Sequence, residues 1–321
     1  MRRIVFPLVL LLLANQSLAT ASDINLNAPG PLGSLGGVFL PGEVQTSPVV
    51  LIVPGSGPTD HDGNSPMGIT ASSYKYLATE LSERGIGTVR IDKRGLSSSA
   101  AAVENGNDVT MSNYADDLAS WIGVIQHKTA VPCVWLLGHS EGGLVVLVTA
   151  QRPLPICGII LVATTGRKFG ELLADQLKAN PANAPLMADI LKGIESLEAG
   201  GKVDVSKLHP ALQQLFAPEL QGFFIDVMSY NPLQLIANIS VPVLIVQGSQ
   251  DLQVSTEDAH LLKNALPDAE LALFANANHV LKDVPTNDLA KNYASYSDPT
   301  LPLAKGMAAK MAEFVFSNPA K

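Results

Sequence analysis

Positive charge is scarce in this chain. Twenty-one Lys and Arg face 29 Asp and Glu, for a formal net charge of −8. A surface of that sign excludes nucleic acid and anionic membranes as partners, since both select basic faces. Long apolar runs are also missing. The run from Ile4 to Ala14 is shorter than the roughly 20 residues a spanning helix needs. No cysteine stands just after it, so no lipoprotein anchor is expected. No internal repeat or low-complexity tract is present, and the Gly-rich stretch 30–37 is too short for a linker. What remains, at 321 residues and 47% hydrophobic, is a chain able to bury a large core as one enlarged domain or a domain with an insertion.

The amino terminus has the layout of a targeting segment. Arg2 and Arg3 precede the apolar run, and Ala19-Thr20-Ala21 is a small-x-small cleavage site. These features predict a signal peptide over 1–21, cleavage after Ala21 and, in a bacterial host, a periplasmic or secreted mature chain with no stable membrane anchor. The chain has only two cysteines, Cys133 and Cys157, each at the start of a predicted strand. An oxidising compartment would permit a bond between them. Side-by-side parallel strands do not favour disulfide geometry, so buried free thiols are expected.

Continuous β-branched runs alternate with helical periodicity. Strands are expected near 36–40, 49–53, 87–92, 133–138, 158–163, 241–247 and 270–274. Helices are expected near 72–84, 112–128, 141–151, 256–266 and 303–317. This pattern predicts an α/β protein with a mostly parallel sheet covered on both faces. The alternation breaks between 165 and 240. There Met187, Ile190, Leu191, Ile194 and Leu197 recur at helical spacing, as do Phe223, Phe224, Val227 and Met228. The expected division is therefore a core of 22–164 and 241–321 with a helical cap, 165–240, inserted over the ligand site.

One local motif stands out. Gly138-His139-Ser140-Glu141-Gly142 joins the apolar run Val134–Leu137 to the apolar helix that follows. Strand, Gly-x-Ser-x-Gly and helix together are the setting of a nucleophile elbow. Serine is a weak nucleophile and needs a base, and the base needs an orienting acid. In this architecture the acid precedes the base along the chain, each on a loop after a later strand. Asp251 follows the strand Val241–Val246, and His279 follows the strand 271–274. The loop after 158–163 reads Thr164-Thr165-Gly166-Arg167 and holds no carboxylate, which favours Asp251. His127 and His260 fall on exposed helix faces and His209 in a mid-chain helical region. The strand pleat points His139 away from Ser140. The loop Pro54–Asn64, with glycines at 55 and 57, is placed to supply one backbone N–H of an oxyanion hole, assigned to Ser56 with Gly57 as the alternative. Glu141 supplies the other N–H.

Asp60-x-Asp62-x-Asn64 looks like the start of a calcium loop, but Ser65 and Ala71 stand where Gly and Glu are required, so no metal is expected. No cofactor is called for either. Ser140, Asp251 and His279, with the loop 54–64, resemble the α/β-hydrolase superfamily. Within it they resemble a bacterial esterase-like branch whose loop reads Gly-Ser-Gly-Pro-x-Asp-Arg-Asp-Gly-Asn. Leu35–Pro41 and Asp92–Ser97 also fit that branch. His61 departs from it and cannot form the bidentate bonds of the Arg found there. The resemblance implies an α/β-hydrolase fold, a small-molecule ester substrate and a bracing role for Asp92 and Arg94. The expected chemistry is two-step acyl transfer. An aminopeptidase or amidase on the same triad is the alternative, with Glu195, Glu198 and Asp204 as candidate ammonium ligands. A non-catalytic scaffold with a decayed site is disfavoured by the complete residue set.

Overall fold

The structure, a computed structural model, describes residues 22–319. The predicted signal peptide, 1–21, lies outside the described residues. Eight strands form one sheet: β1 (Ile24–Pro29), β2 (Ser34–Leu40), β3 (Val49–Val53), β4 (Gly87–Ile91), β5 (Val134–His139), β6 (Ile156–Val162), β7 (Val243–Gly248) and β8 (Glu270–Phe274). Their order is β1-β2-β4-β3-β5-β6-β7-β8. β1 and β2 pair antiparallel, as do β2 and β4, and every other pair is parallel. The predicted mostly parallel sheet is observed, with one strand more than expected. β1 was missed because its polar sequence, Ile24-Asn25-Leu26-Asn27-Ala28-Pro29, is largely exposed at the sheet edge and carries no buried run.

Alternation along the strands sorts the core into two layers. Val49, Leu51 and Val53 of β3 pack with the helices Met111–Thr129 and Glu141–Thr149. Val50 and Ile52 point the other way, against Ser73–Ser82 and Met307–Ser317. Burial on both faces explains why β3, β5 and β7 are apolar without alternation. Strand order reverses between β3 and β5, and a crevice opens at the carboxyl ends on either side of such a switch point.

The segment joining β6 to β7 forms helices Phe169–Lys178, Met187–Glu198, Pro210–Gln213, Pro218–Met228 and Pro232–Ala237. Ile190, Ile194, Leu197, Val227 and Met228 are buried and continuous with the larger core layer. Leu191, on the same predicted stripe, is 49% exposed.

The cysteines correct the free-thiol expectation: Cys133 and Cys157 form a disulfide, with Cα atoms 5.2 Å apart. The physical reason is a register shift. Val134 pairs with Ile156 and Trp135 with Gly158, so Cys157 bulges out of the ladder, and Cys133 lies just before β5 begins. Neither residue is held in the regular side-by-side geometry that would oppose the bond. Denatured, unreduced protein should show no titratable thiol, and reduction should lower stability by about 3 kcal/mol. Two thiols titrating without reductant would refute the bond.

Candidate active site

Ser140 is forced into its position by its neighbours. It adopts φ 55° and ψ −122°, a region that L-residues avoid. A Cβ on Gly138 would meet the Gly142 carbonyl oxygen at 2.3 Å, and one on Gly142 would meet that of Val53 at 2.4 Å. The two glycines are thus required by the close approach of the elbow to itself and to β3. The Ser140 N–H is held by the Val162 carbonyl of β6 (2.9 Å). The helix begins at Glu141 and lends the positive end of its dipole to this point.

His279 and Asp251 come together across two loops of the same sheet end. His279 Nδ1 lies 2.8 Å from Asp251 Oδ2, and both side chains are almost fully buried. A carboxylate only accepts, so Nδ1 carries the proton and the lone pair of the neutral ring lies on Nε2. Asp251 is itself fixed by three further donors. Its Oδ1 accepts from the N–H groups of Gln253 (2.8 Å) and Val254 (3.0 Å), and its Oδ2 from Gln247 Nε2 (3.2 Å). Gln247 is 1% exposed and also donates to the Val254 carbonyl. Sequence reasoning missed it, because a strand-end glutamine carries no motif.

Of the other histidines, His127, His209 and His260 are exposed. His139 is buried and satisfied. Its Nε2 donates to the His279 carbonyl (2.8 Å), which assigns the lone pair to Nδ1, 2.8 Å from Tyr74 Oη. The phenol therefore donates to His139 and accepts the Gly55 N–H (3.1 Å). Burial, reinforced by the neighbouring His279, pushes His139 down to about 3, so it is neutral at ordinary pH. Burial likewise pushes Tyr74 above the usual phenol value and keeps its proton in place. A directed chain thus links the loop after β3 to the backbone of His279.

That loop is braced as well. The Asp60 carboxylate accepts the N–H groups of Asp62 and Asn64, and Asn64 Oδ1 accepts that of Ser72. The residues that imitated a calcium loop are therefore occupied in turning their own backbone. Asp62 pairs with buried Arg90. His61, which stands where the similar branch has Arg, bonds Asp92 through its N–H (2.8 Å) and through Nδ1 (3.0 Å). Arg94 forms a buried fork with Asp117, at 2.7 and 2.6 Å. The hydrogen bond to Asp92 outweighs burial and raises His61 above its usual 6.5. Asp92 is lowered, since its bonds from His61 and Ser98 overcome the opposing effect of burial. A raised histidine stabilises the fold fully below its unfolded value and loses that contribution as pH rises through the folded value. The thermal stability difference between wild type and His61→Asn should thus be largest on the acid side of 6.5 and shrink on the alkaline side. A difference constant with pH would refute the pairing.

Ser140, His279, Ser56, Glu141 and Val254, the neighbour of Asp251, line one cavity of about 240 Å³. Leu144, Phe169, Leu172, Val227 and Pro232 give it an apolar wall, while Gln176, Gln253 and Tyr296 give it a polar edge. Arg167 also faces it, held by Asp175 and by a fork to Asp258, which is wholly buried. Glu195, Glu198 and Asp204 are exposed and do not line it.

Sheet order, elbow and the loops at its carboxyl ends define the α/β-hydrolase fold. Comparison with known proteins agrees. A family model described as serine aminopeptidase, S33, matches residues 66–194. Esterase EstD of Thermotoga maritima is 26% identical over 266 residues, covering 81% of this chain and 59% of the relative. Monoglyceride lipase of Rattus norvegicus is 26% identical over 197 residues, covering 54% of this chain and 60% of the relative. The chain therefore spans less than two thirds of the length of these curated relatives. Among solved structures, the alpha/beta hydrolase GrgF of a Penicillium species superimposes with a TM-score of 0.60 at 19% identity, over 94% of this chain and 100% of that one.

Proposed function

We propose that this chain is a serine hydrolase of carboxylic esters with short to medium acyl groups, working through an acyl-enzyme. The observation that carries this reading is the Asp251–His279 pair, at 2.8 Å, opening on the same cavity as a strained Ser140. Ser140 Oγ attacks the ester carbonyl while His279 Nε2 takes its proton, and Asp251 stabilises the imidazolium. The tetrahedral oxyanion is received by the N–H groups of Ser56 and Glu141, each worth about 3 kcal/mol. The alcohol leaves with the proton from His279. Water then repeats the sequence and frees the acid. Neutral His139 suits this cycle, because a second cation 4.8 Å from the His279 ring would oppose formation of the imidazolium. A cavity of about 240 Å³ lies below the roughly 300–1,000 Å³ of sites for drug-sized ligands, which favours short acyl groups.

The description of the matched family model favours a second reading, hydrolysis of amino-terminal peptide bonds. That activity needs a carboxylate to hold the substrate ammonium. Among the described residues the one carboxylate residue lining the cavity is Glu141, already paired with Lys93, so the ester reading is preferred. In this proposal the mature chain works in the periplasm or outside the cell; the leader motif supports this, and the disulfide suits an oxidising compartment. The deciding experiment is initial-rate hydrolysis of p-nitrophenyl esters from acetate to dodecanoate beside aminoacyl anilides. Turnover peaking among the short esters supports the proposal, and anilide cleavage without ester cleavage overturns it.

A further inference from the structure

Lys93 is a buried charge that the acyl-transfer mechanism leaves unused. It follows β4, its side chain is 5% exposed, and its ammonium lies 5.4 Å from the centroid of the Tyr114 ring. Nζ donates to the Gly55 carbonyl (2.8 Å) and to Glu141 Oε1 (3.2 Å). β4 and β5 flank β3, so this one side chain crosses beneath the end of β3 and touches both loops assigned to the oxyanion hole. Burial works against its charge, but the Glu141 carboxylate, helped by Tyr114, outweighs burial and raises Lys93 above its usual value.

We propose that Lys93 is a positioning residue that sets both donors of the oxyanion hole. The inference rests on the acyl-transfer reading and on Ser56 and Glu141 as donors. The Gly55 carbonyl and the Ser56 N–H belong to one peptide group, and among the described residues no peptide bond is cis. In a trans peptide the two dipole ends point in opposite directions. A cation bound to the oxygen therefore fixes the plane, turns the N–H away from Lys93, and polarises the amide so that the N–H donates more strongly. The second arm acts at Glu141. Its carboxylate is covalently one residue from the nucleophile, and unpaired it would repel the oxyanion; Lys93 cancels that charge. Both effects grow only as negative charge develops on the substrate oxygen, so they act on the transition state and not on ground-state binding.

The test compares Lys93→Met, Glu141→Gln and the double variant in the full chain, with p-nitrophenyl butyrate as substrate and a trifluoromethyl ketone as oxyanion-forming inhibitor. Lys93→Met should lower kcat about 100-fold with KM changed less than about twofold, and inhibitor affinity should fall in parallel with kcat/KM. Glu141→Gln keeps the bond to Gly55 and should lose less than about tenfold. The double variant contains no unpaired buried charge and so carries the test even where Lys93→Met fails to fold. It should remain at least about tenfold slower than Glu141→Gln, because the Gly55 carbonyl has lost its cation. Recovery of the double variant to the Glu141→Gln rate would show an ion pair that only holds the fold, and would overturn the proposal. So would inhibitor affinity unchanged while kcat falls. Turnover persisting in Ser140→Ala would overturn the acyl-transfer reading itself, and the role of Lys93 with it. Ser140-dependent turnover that ignores Lys93→Met would overturn the role of Lys93 alone.

Discussion

Ser140→Ala and His279→Ala should each reduce ester turnover by roughly 10,000-fold or more while leaving the protein folded. The two losses should not add, because in the proposed mechanism nucleophile and base act in one step and removing either removes the step. The fold should survive for identifiable reasons. The Ser140 N–H is bound through the backbone to Val162, and the tight contacts of Gly138 and Gly142 do not involve the serine hydroxyl. The His279 carbonyl, which receives His139, is likewise backbone and remains in the alanine variant. Initial rates on p-nitrophenyl butyrate, with circular dichroism spectra and melting curves, check both statements. Residual turnover of more than a few per cent in either well-folded variant would refute the assignment of that residue.

What could be read from the sequence was what local chemistry determines. The elbow is legible because its glycines answer to contacts within five residues and with the strand beside it. β3, β5 and β7 are legible because a strand buried on both faces must be apolar throughout. The Asp251–His279 pairing is legible because each residue lies on the loop after a strand, at the one end of a sheet that parallel strands share. The remainder depends on partners far apart in the chain. Lys93 and Glu141 are 48 residues apart, Tyr74 and His139 are 65 apart, and Arg167 and Asp258 are 91 apart. No spacing rule connects such pairs, and each residue alone reads as an ordinary surface or core side chain. The loop 164–167 illustrates the limit. It has no carboxylate of its own, yet Thr165, Gly166 and Arg167 all bond to one carboxylate, Asp258, supplied by the helix Thr256–Ala265. The disulfide is hidden for a related reason, since a one-residue bulge decides its geometry and leaves no mark in the composition.

Asp251→Asn should cost about 10,000-fold in kcat while preserving most of the site's shape, because the change inverts one proton and moves almost no atoms. Asp251 receives four donors: the N–H groups of Gln253 and Val254, Gln247 Nε2 and His279 Nδ1. A carboxylate satisfies all four, whereas an amide has one accepting end and one donating end. If the amide oxygen stays with the two backbone N–H groups, the NH₂ group faces His279. The ring then avoids two opposed donors by moving its proton to Nε2, so that Nδ1 accepts. The lone pair that the proposed mechanism requires beside Ser140 is thereby lost, and no carboxylate remains to stabilise an imidazolium. The alternative amide orientation keeps the tautomer but opposes NH₂ to the N–H groups of Gln253 and Val254, at a cost of about 1–3 kcal/mol for each donor left unpaired. The first orientation also turns NH₂ toward Gln247 Nε2, but once the His279 proton has moved it opposes that one donor against two, and is favoured. Asp251→Glu offers a contrast, since it retains the charge and all accepting capacity but displaces the oxygens by one methylene. It should keep the native tautomer and retain more activity than the asparagine variant. Observation of the His279 ring protons by nitrogen-edited NMR reads the tautomer directly. A protonated Nδ1 in a folded, inactive Asp251→Asn variant would refute this account and leave loss of charge as the whole cause.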